Sequence, residues 1–247
     1  MLCASILDTV LLQVTCLLAM MQSRFGFVHH ETIGRNILLS PMVNQNAVFR
    51  GKALSQYRRW VFVVAQDEHR FDRCDMSDKN QVQKALAEIP RGAARIIAQE
   101  SPLIVAKLSD FEIACLYHIQ TLDQCRAIIP EYMNEASLQR DGILGHSCFS
   151  EKCYDLHTLF INIYNCSQRL GCQEFCHLNA LWKDIWNPGI RIKRPQLTHM
   201  TTSRASTPHV IVNPLTPRQF LLNPKVYEAW EIDITGIDLE TDLILFI

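Results

Sequence analysis

Residues 2–22 are mostly apolar, with Asp8 and Gln13 among the few polar positions. A helix apolar on most sides must be covered on most sides, so this stretch predicts a central core helix. Phe25 to Gly51 mixes Gly26, Gly34, Pro41 and several Asn, which predicts loops with short elements. Trp60-Val61-Phe62-Val63-Val64 is β-branched and aromatic, and predicts a strand. Residues 79–99 carry a helical pattern up to Pro90, resuming through Ala93 to Ala98, with Ser77 or Asp78 as the N-cap. Ser109 and Glu112 stand at capping-box spacing and predict a second helix running toward Ile128.

The back half repeats these signals. Asp155 precedes a helical stretch from Leu156 to Leu170, and another runs from Cys172 to Trp186 until Asn187-Pro188-Gly189. His209 to Val212 reads as a strand, and Leu243 to Ile247 is wholly apolar. Gly189 to Lys193 alternates apolar with basic residues, and Trp230 to Ile234 alternates apolar with acidic ones. The two segments predict strands of one sheet. Ile190, Ile192, Trp230, Ile232 and Ile234 would face the core, and Arg191 and Lys193 would share the other face with Glu231 and Asp233. The expected fold is α+β: a mainly helical body to about residue 186, then a β-rich portion over about 189–247. No flexible linker separates them, so a single domain over 1–247 is expected.

Composition narrows the class. The chain has 247 residues, 48% hydrophobic and 20% charged, which suits a folded core. A net charge of -1 supplies no global pull toward nucleic acid or acidic membranes. Charge is nonetheless segregated. Residues 185–227 contain no acid but hold Arg191, Lys193, Arg194, Arg204, Arg218 and Lys225, whereas residues 228–247 contain no base. Glycine-rich phosphate loops and the HExxH and GxSxG motifs are absent from the sequence.

Ten cysteines suggest a disulfide scaffold at first sight. However, Cys16, Cys115 and Cys125 lie in apolar surroundings, where a free thiol acts as a small hydrophobe. A reducing compartment, cytoplasmic or nuclear, is the expectation. No Lys or Arg precedes Arg24, unlike the basic start of a signal peptide, and Asp8 and Gln13 disfavour a membrane span.

Three constellations could carry chemistry. Residues 146–177 collect Cys148, Cys153, Cys166, Cys172 and Cys176 with His146, His157 and His177. Cys148, Cys153, Cys172 and Cys176 could converge on zinc, although neither pair has the tight CxxC spacing of common zinc modules. Dispersed free thiols are the simpler reading, and Cys148 beside His146 as a nucleophile the weakest. Asp67, Glu68 and Asp72 crowd just past the Trp60–Val64 strand, where acids can hold a divalent cation for a hydrolase or nuclease. The simpler reading there is a solvated turn. Lastly, the proline-rich segment after Gly189 offers Arg194 and Arg204 as exposed cations for an anionic or protein partner. With no catalytic motif present, the sequence favours a non-catalytic interaction or accessory protein, of the kind viruses also encode. No cofactor and no metal site are expected.

Overall fold

The computed structural model describes residues 2–44, 46–128, 154–169, 186–191, 209–211 and 215–247. Helices are α1 (Leu2–Phe25), α2 (Lys79–Ala87), α3 (Leu122–Ile128), α4 (Tyr154–Arg169) and α5 (Pro217–Leu222). Strands are β1 (Phe27–Val28), β2 (Ile37–Pro41), β3 (Val48–Phe49), β4 (Lys52–Ala53), β5 (Arg59–Ala65), β6 (Ala94–Glu100), β7 (Ile104–Leu108), β8 (Cys115–Leu116), β9 (Trp186–Arg191), β10 (His209–Ile211) and β11 (Asp242–Phe246).

The centre is a three-stranded sheet in the order β11-β5-β6. β11 runs parallel to β5, and β6 runs antiparallel to it. All seven residues of β5 are buried, as expected of a strand covered on both faces. The pleat sorts them. Trp60, Phe62, Val64 and Leu243 face α1, α4 and α5. Val61, Val63, Ala65, Ile244 and Phe246 face Phe71 and the Val82–Leu86 side of α2. The result is a helix–sheet–helix sandwich with α1 in the larger layer.

α1 is buried over most of its length, with Leu11, Leu12 and Leu18 fully enclosed. It packs on α4, α5, β1 and β7. On α4, Leu156, Leu159, Phe160 and Ile163 recur at helical spacing and supply the facing stripe. Phe160 meets Phe220 of α5 edge-to-face at 5.0 Å. α1 ends at Gly26, whose φ of 58° and N–H bond to the Gln22 carbonyl make a left-handed stop. A side chain there would stand 2.6 Å from the His118 ring, so glycine is required twice over.

β11 is locked in place by charge. Its first residue, Asp242, is the register partner of Arg59. Arg59 grips Asp242 with two bonds, Nε to Oδ1 at 3.0 Å and a terminal nitrogen to Oδ2 at 2.8 Å, and also reaches the Gly236 carbonyl. Asp242 is fully buried and also accepts the Asp238 N–H at 2.9 Å.

The expected helical body with a β-rich C-terminal portion is not what forms. This is a mixed α/β fold in which β1 to β8 all lie within the first 116 residues. The stretch 94–100, expected to resume a helix, is β6, because its isoleucines pair with β5 on both faces of a buried sheet. The helix expected from Ser109 starts only at Leu122. The Ser109 hydroxyl and N–H both bond to the Asn36 carbonyl, and no capping box forms. Cys115 and Leu116 instead pair with β1. Nor do 189–191 and 230–234 share a sheet. β9 pairs with β10, and Asn187-Pro188-Gly189 lies within it. Residues 228–236 form two 3₁₀ turns, with Glu231 bridging to Ile97 and ion-paired to Arg95 at 2.8 Å. Ile192, Lys193 and residues 172–185 of the helix expected over Cys172–Trp186 lie outside the described residues, and Trp186 begins β9 instead. The strand at Trp60–Val64 and the Asp78 cap of α2 both form as expected.

Removing one member of a buried ion pair strands the other. Asp242→Ala is therefore expected to cost about 3–5 kcal/mol in urea unfolding. Lys79→Ala, which breaks an exposed pair with Glu240, should cost under about 1 kcal/mol.

Candidate functional site

β5 delivers the chain into the acidic turn, where the three acids gather on one histidine. Asp67 accepts the His69 N–H at 3.0 Å, Asp72 lies 2.9 Å from the ring Nδ1, and Glu68 lies 3.6 Å from Nε2. Beneath them, half-buried Arg218 donates to the carbonyls of Ala65 (2.6 Å) and Ile247 (3.2 Å), with Glu68 at 3.5 Å. Burial pushes the Arg218 pKa down, while Glu68, Asp67 and Asp72 pull it up. A fixed guanidinium thus already supplies positive charge to these acids. No three His, Cys, Asp or Glu side chains among the described residues are placed to hold a metal together.

A cleft of about 310 Å³ opens beside this turn, between α1 and α5. It is lined by Gln22, Ser23, Gln66, Glu68, Arg218 and Gln219, among others. Its polar groups are engaged internally. Gln66 donates to the Gly92 carbonyl at 3.0 Å, Gln219 caps α5 by accepting the Thr216 N–H at 3.0 Å, and Ser23 donates to the Glu68 carbonyl at 3.1 Å.

The other sequence candidates divide. Cys148, Cys153, Cys172, Cys176, Arg194 and Arg204 lie outside the described residues. Cys16, Cys115 and Cys125 are buried free thiols, in keeping with their expected core role. Burial raises the Cys16 pKa well above its ordinary value.

A buried polar knot joins α4 to the chain after β1, and sequence reasoning missed it. Asp155, in the first turn of α4, accepts the His29 N–H (2.6 Å), the His30 N–H (2.9 Å) and the Thr32 hydroxyl (2.9 Å). His29 Nδ1 accepts the Glu31 N–H at 3.3 Å, which selects the Nε2–H tautomer that donates to the Ser109 carbonyl at 2.9 Å. The sequence signal was the His29-His30 pair directly after a buried strand. The expected role of Asp155 was a local helix cap, and its contacts are instead over 120 residues distant in sequence.

The second missed feature is an apolar surface. β2 and β7 form a separate two-stranded ribbon lying against α1. Leu38 and Leu39 are each 51% exposed on β2, and Val43 (84%) and Leu103 (69%) flank the end where Met42 donates to the Leu103 carbonyl. Monomeric surfaces scatter apolar residues singly, so four large ones close together on one ribbon, even with Leu38 and Leu39 on its opposite faces, call for a partner. The apolar run Ile37-Leu38-Leu39 carried this signal. Its setting among glycine, proline and asparagine predicts only loops with short elements, which conceals it.

The ribbon's two edges differ. Gln13 of α1 accepts the Ala106 N–H at 2.8 Å and donates to the Ile104 carbonyl at 3.2 Å, closing the β7 edge. The Met42 N–H to the Leu103 carbonyl and the Ser109 N–H to the Asn36 carbonyl flank the β2–β7 ladder, so by alternation the Leu39 backbone groups point to the outer edge. Pro41 has no N–H, and the Ile37 N–H bonds to Gly34. The edge is therefore too short to template a strand, and the ribbon's side chains are what it offers.

The chain matches no protein-family model, no curated protein and no solved structure. Its functional reading rests on its own geometry.

The polar knot yields a pH prediction. Burial, with a smaller contribution from His29, lowers the His30 pKa from 6.5 to about 4. The unfolded chain thus binds a proton here that the folded chain refuses. Stability from this group is complete above pH 6.5 and is lost as pH falls toward 4, by on the order of 3 kcal/mol. Asp155 acts in the opposite sense, since burial raises its pKa against the pull of its three donors. His30→Asn should remove most of the His30 component, because Asn tolerates the φ of 67° at this position. Thermal unfolding between pH 7 and 4 should therefore be visibly flatter in the variant than in the parent.

Proposed function

We propose that this chain is a non-catalytic interaction protein that presents the β2–β7 ribbon to a macromolecular partner. The observation that carries this reading is the exposure of Leu38, Leu39, Val43 and Leu103 along one ribbon, with Leu38 and Leu39 on its opposite faces. The ribbon is well placed for docking. Its register is closed by five cross-strand pairs, and Gln13 ties it to the central helix. A rigid ribbon limits the entropy lost on association. Exposed Lys107, the register partner of Leu38, adds positive charge to the ribbon, which suits a partner whose own rim is acidic. In this proposal Arg194 and Arg204 add to the same electrostatic preference, and a cytoplasmic or nuclear setting suits the free thiols.

The test uses the full chain and a partner found by cross-linking from position 38 or 103. Leu38→Glu combined with Leu103→Glu should weaken binding by roughly tenfold or more while moving Tm by no more than about 2 °C. Arg194→Glu with Arg204→Glu should weaken it further and reduce its salt dependence. Unchanged binding in the leucine variant would contradict the proposal. So would a collapse of Tm, which would make the leucines part of the fold.

A further inference from the structure

We infer that Cys115 and Cys125 form a dithiol site that low-molecular-weight disulfides, such as oxidised glutathione, convert to an internal disulfide. Five cysteines are described as free: Cys16, Cys74, Cys115, Cys125 and Cys166. Cys115 and Cys125 are in contact. Cys115 sits on β8 and Cys125 on α3, close enough that Cys125 helps to raise the Cys115 pKa. The Cys115 sulfur also lies 3.8 Å from the Cys125 carbonyl, and the Cys125 sulfur 3.8 Å from Gln120 Oε1. Both are essentially inaccessible, at 0% and 1% exposure.

The position gives the bond a structural consequence. β8 pairs with β1, which leads directly into the His29–His30 segment held by Asp155. A Cys115–Cys125 bond would fasten α3 to this framework. The enclosed loop spans ten residue steps, long enough for closure to remove appreciable entropy from the unfolded chain.

The exchange balances without any further reagent. One cysteine thiolate attacks a sulfur of oxidised glutathione, forming a mixed disulfide and expelling a glutathione thiolate. The second cysteine thiolate then displaces the other glutathione and closes the internal bond. Two thiols are oxidised, one glutathione disulfide is reduced, and the two thiol protons leave on two glutathiones. Burial, reinforced by Cys125, raises the Cys115 pKa to about 12, so thiolate is scarce while the site is closed. Exchange therefore proceeds when α3 lifts from β8, and low urea should accelerate it.

The experiment equilibrates reduced full-length protein with oxidised glutathione, traps the remaining thiols by alkylation after denaturation, and maps a non-reducing digest by mass spectrometry. The expected product joins the Cys115 and Cys125 peptides, lighter by the pair of hydrogens lost. Its Tm should stand roughly 5 °C above that of the reduced protein, and dithiothreitol should reverse the change. Cys125→Ser, or Cys125→Ala where the hydroxyl disturbs folding, should abolish the linked peptide and the Tm shift. The inference is overturned if both cysteines remain alkylatable at equilibrium, if Cys115 pairs with another cysteine, or if the linked species is less stable than the reduced one.

Discussion

The fold depends on burying α1. Its sequence leaves no broad polar face, so one covering layer would leave apolar surface in water. The rest of the chain supplies cover from several sides: the β11-β5-β6 sheet, α4, α5 and the β2–β7 ribbon. Full burial of one large aliphatic side chain contributes roughly 1.5–3 kcal/mol, and α1 carries many of them. No ion pair among the described residues approaches that total. Charged contacts such as Arg59–Asp242 act by placing a strand, whereas burial of α1 is what makes the assembly favourable.

Such a helix must still satisfy its few polar side chains. Gln99 of β6 donates to the Thr9 hydroxyl at 2.9 Å and accepts from Gln13 at 3.4 Å. Gln13 also reaches the backbone of β7, so a single buried amide links helix, sheet and ribbon. Tyr227, fully buried with a left-handed φ of 52°, directs its hydroxyl to the Asp8 carbonyl at 3.4 Å. These contacts impose one arrangement on a packing that greasy surfaces alone would leave loose. They also connect the core to the proposed docking ribbon, because the Gln13 bonds hold the β7 edge that would otherwise be open.

What could be read from the sequence was what is local. The all-round apolarity of α1, the β-branched run of β5 and the Asp78 cap each follow from neighbouring residues. The identity of β6 did not, because Ala94 to Ala98 suits either a helix or a strand until β5 is present to pair with. The back-end pairing failed for a related reason. Alternation at Trp230–Ile234 is real, but Glu231 found Arg95 and Ile97 across the sheet rather than the basic strand near Arg191. The roles of Asp155 and Asp242 depend on partners far away in the chain, which spacing cannot reveal. The exposed leucines of β2 were visible as a run, yet only the fold shows that they face outward.

Native-state hydrogen exchange tests the central role of α1 most directly. Amides of α1 between Leu7 and Ala19 should exchange only through global unfolding, with the same free energy and denaturant dependence as those of β5. Exchange of α1 at markedly lower free energy than β5, or with little denaturant dependence, would show that the sheet stands without the helix and would contradict the account.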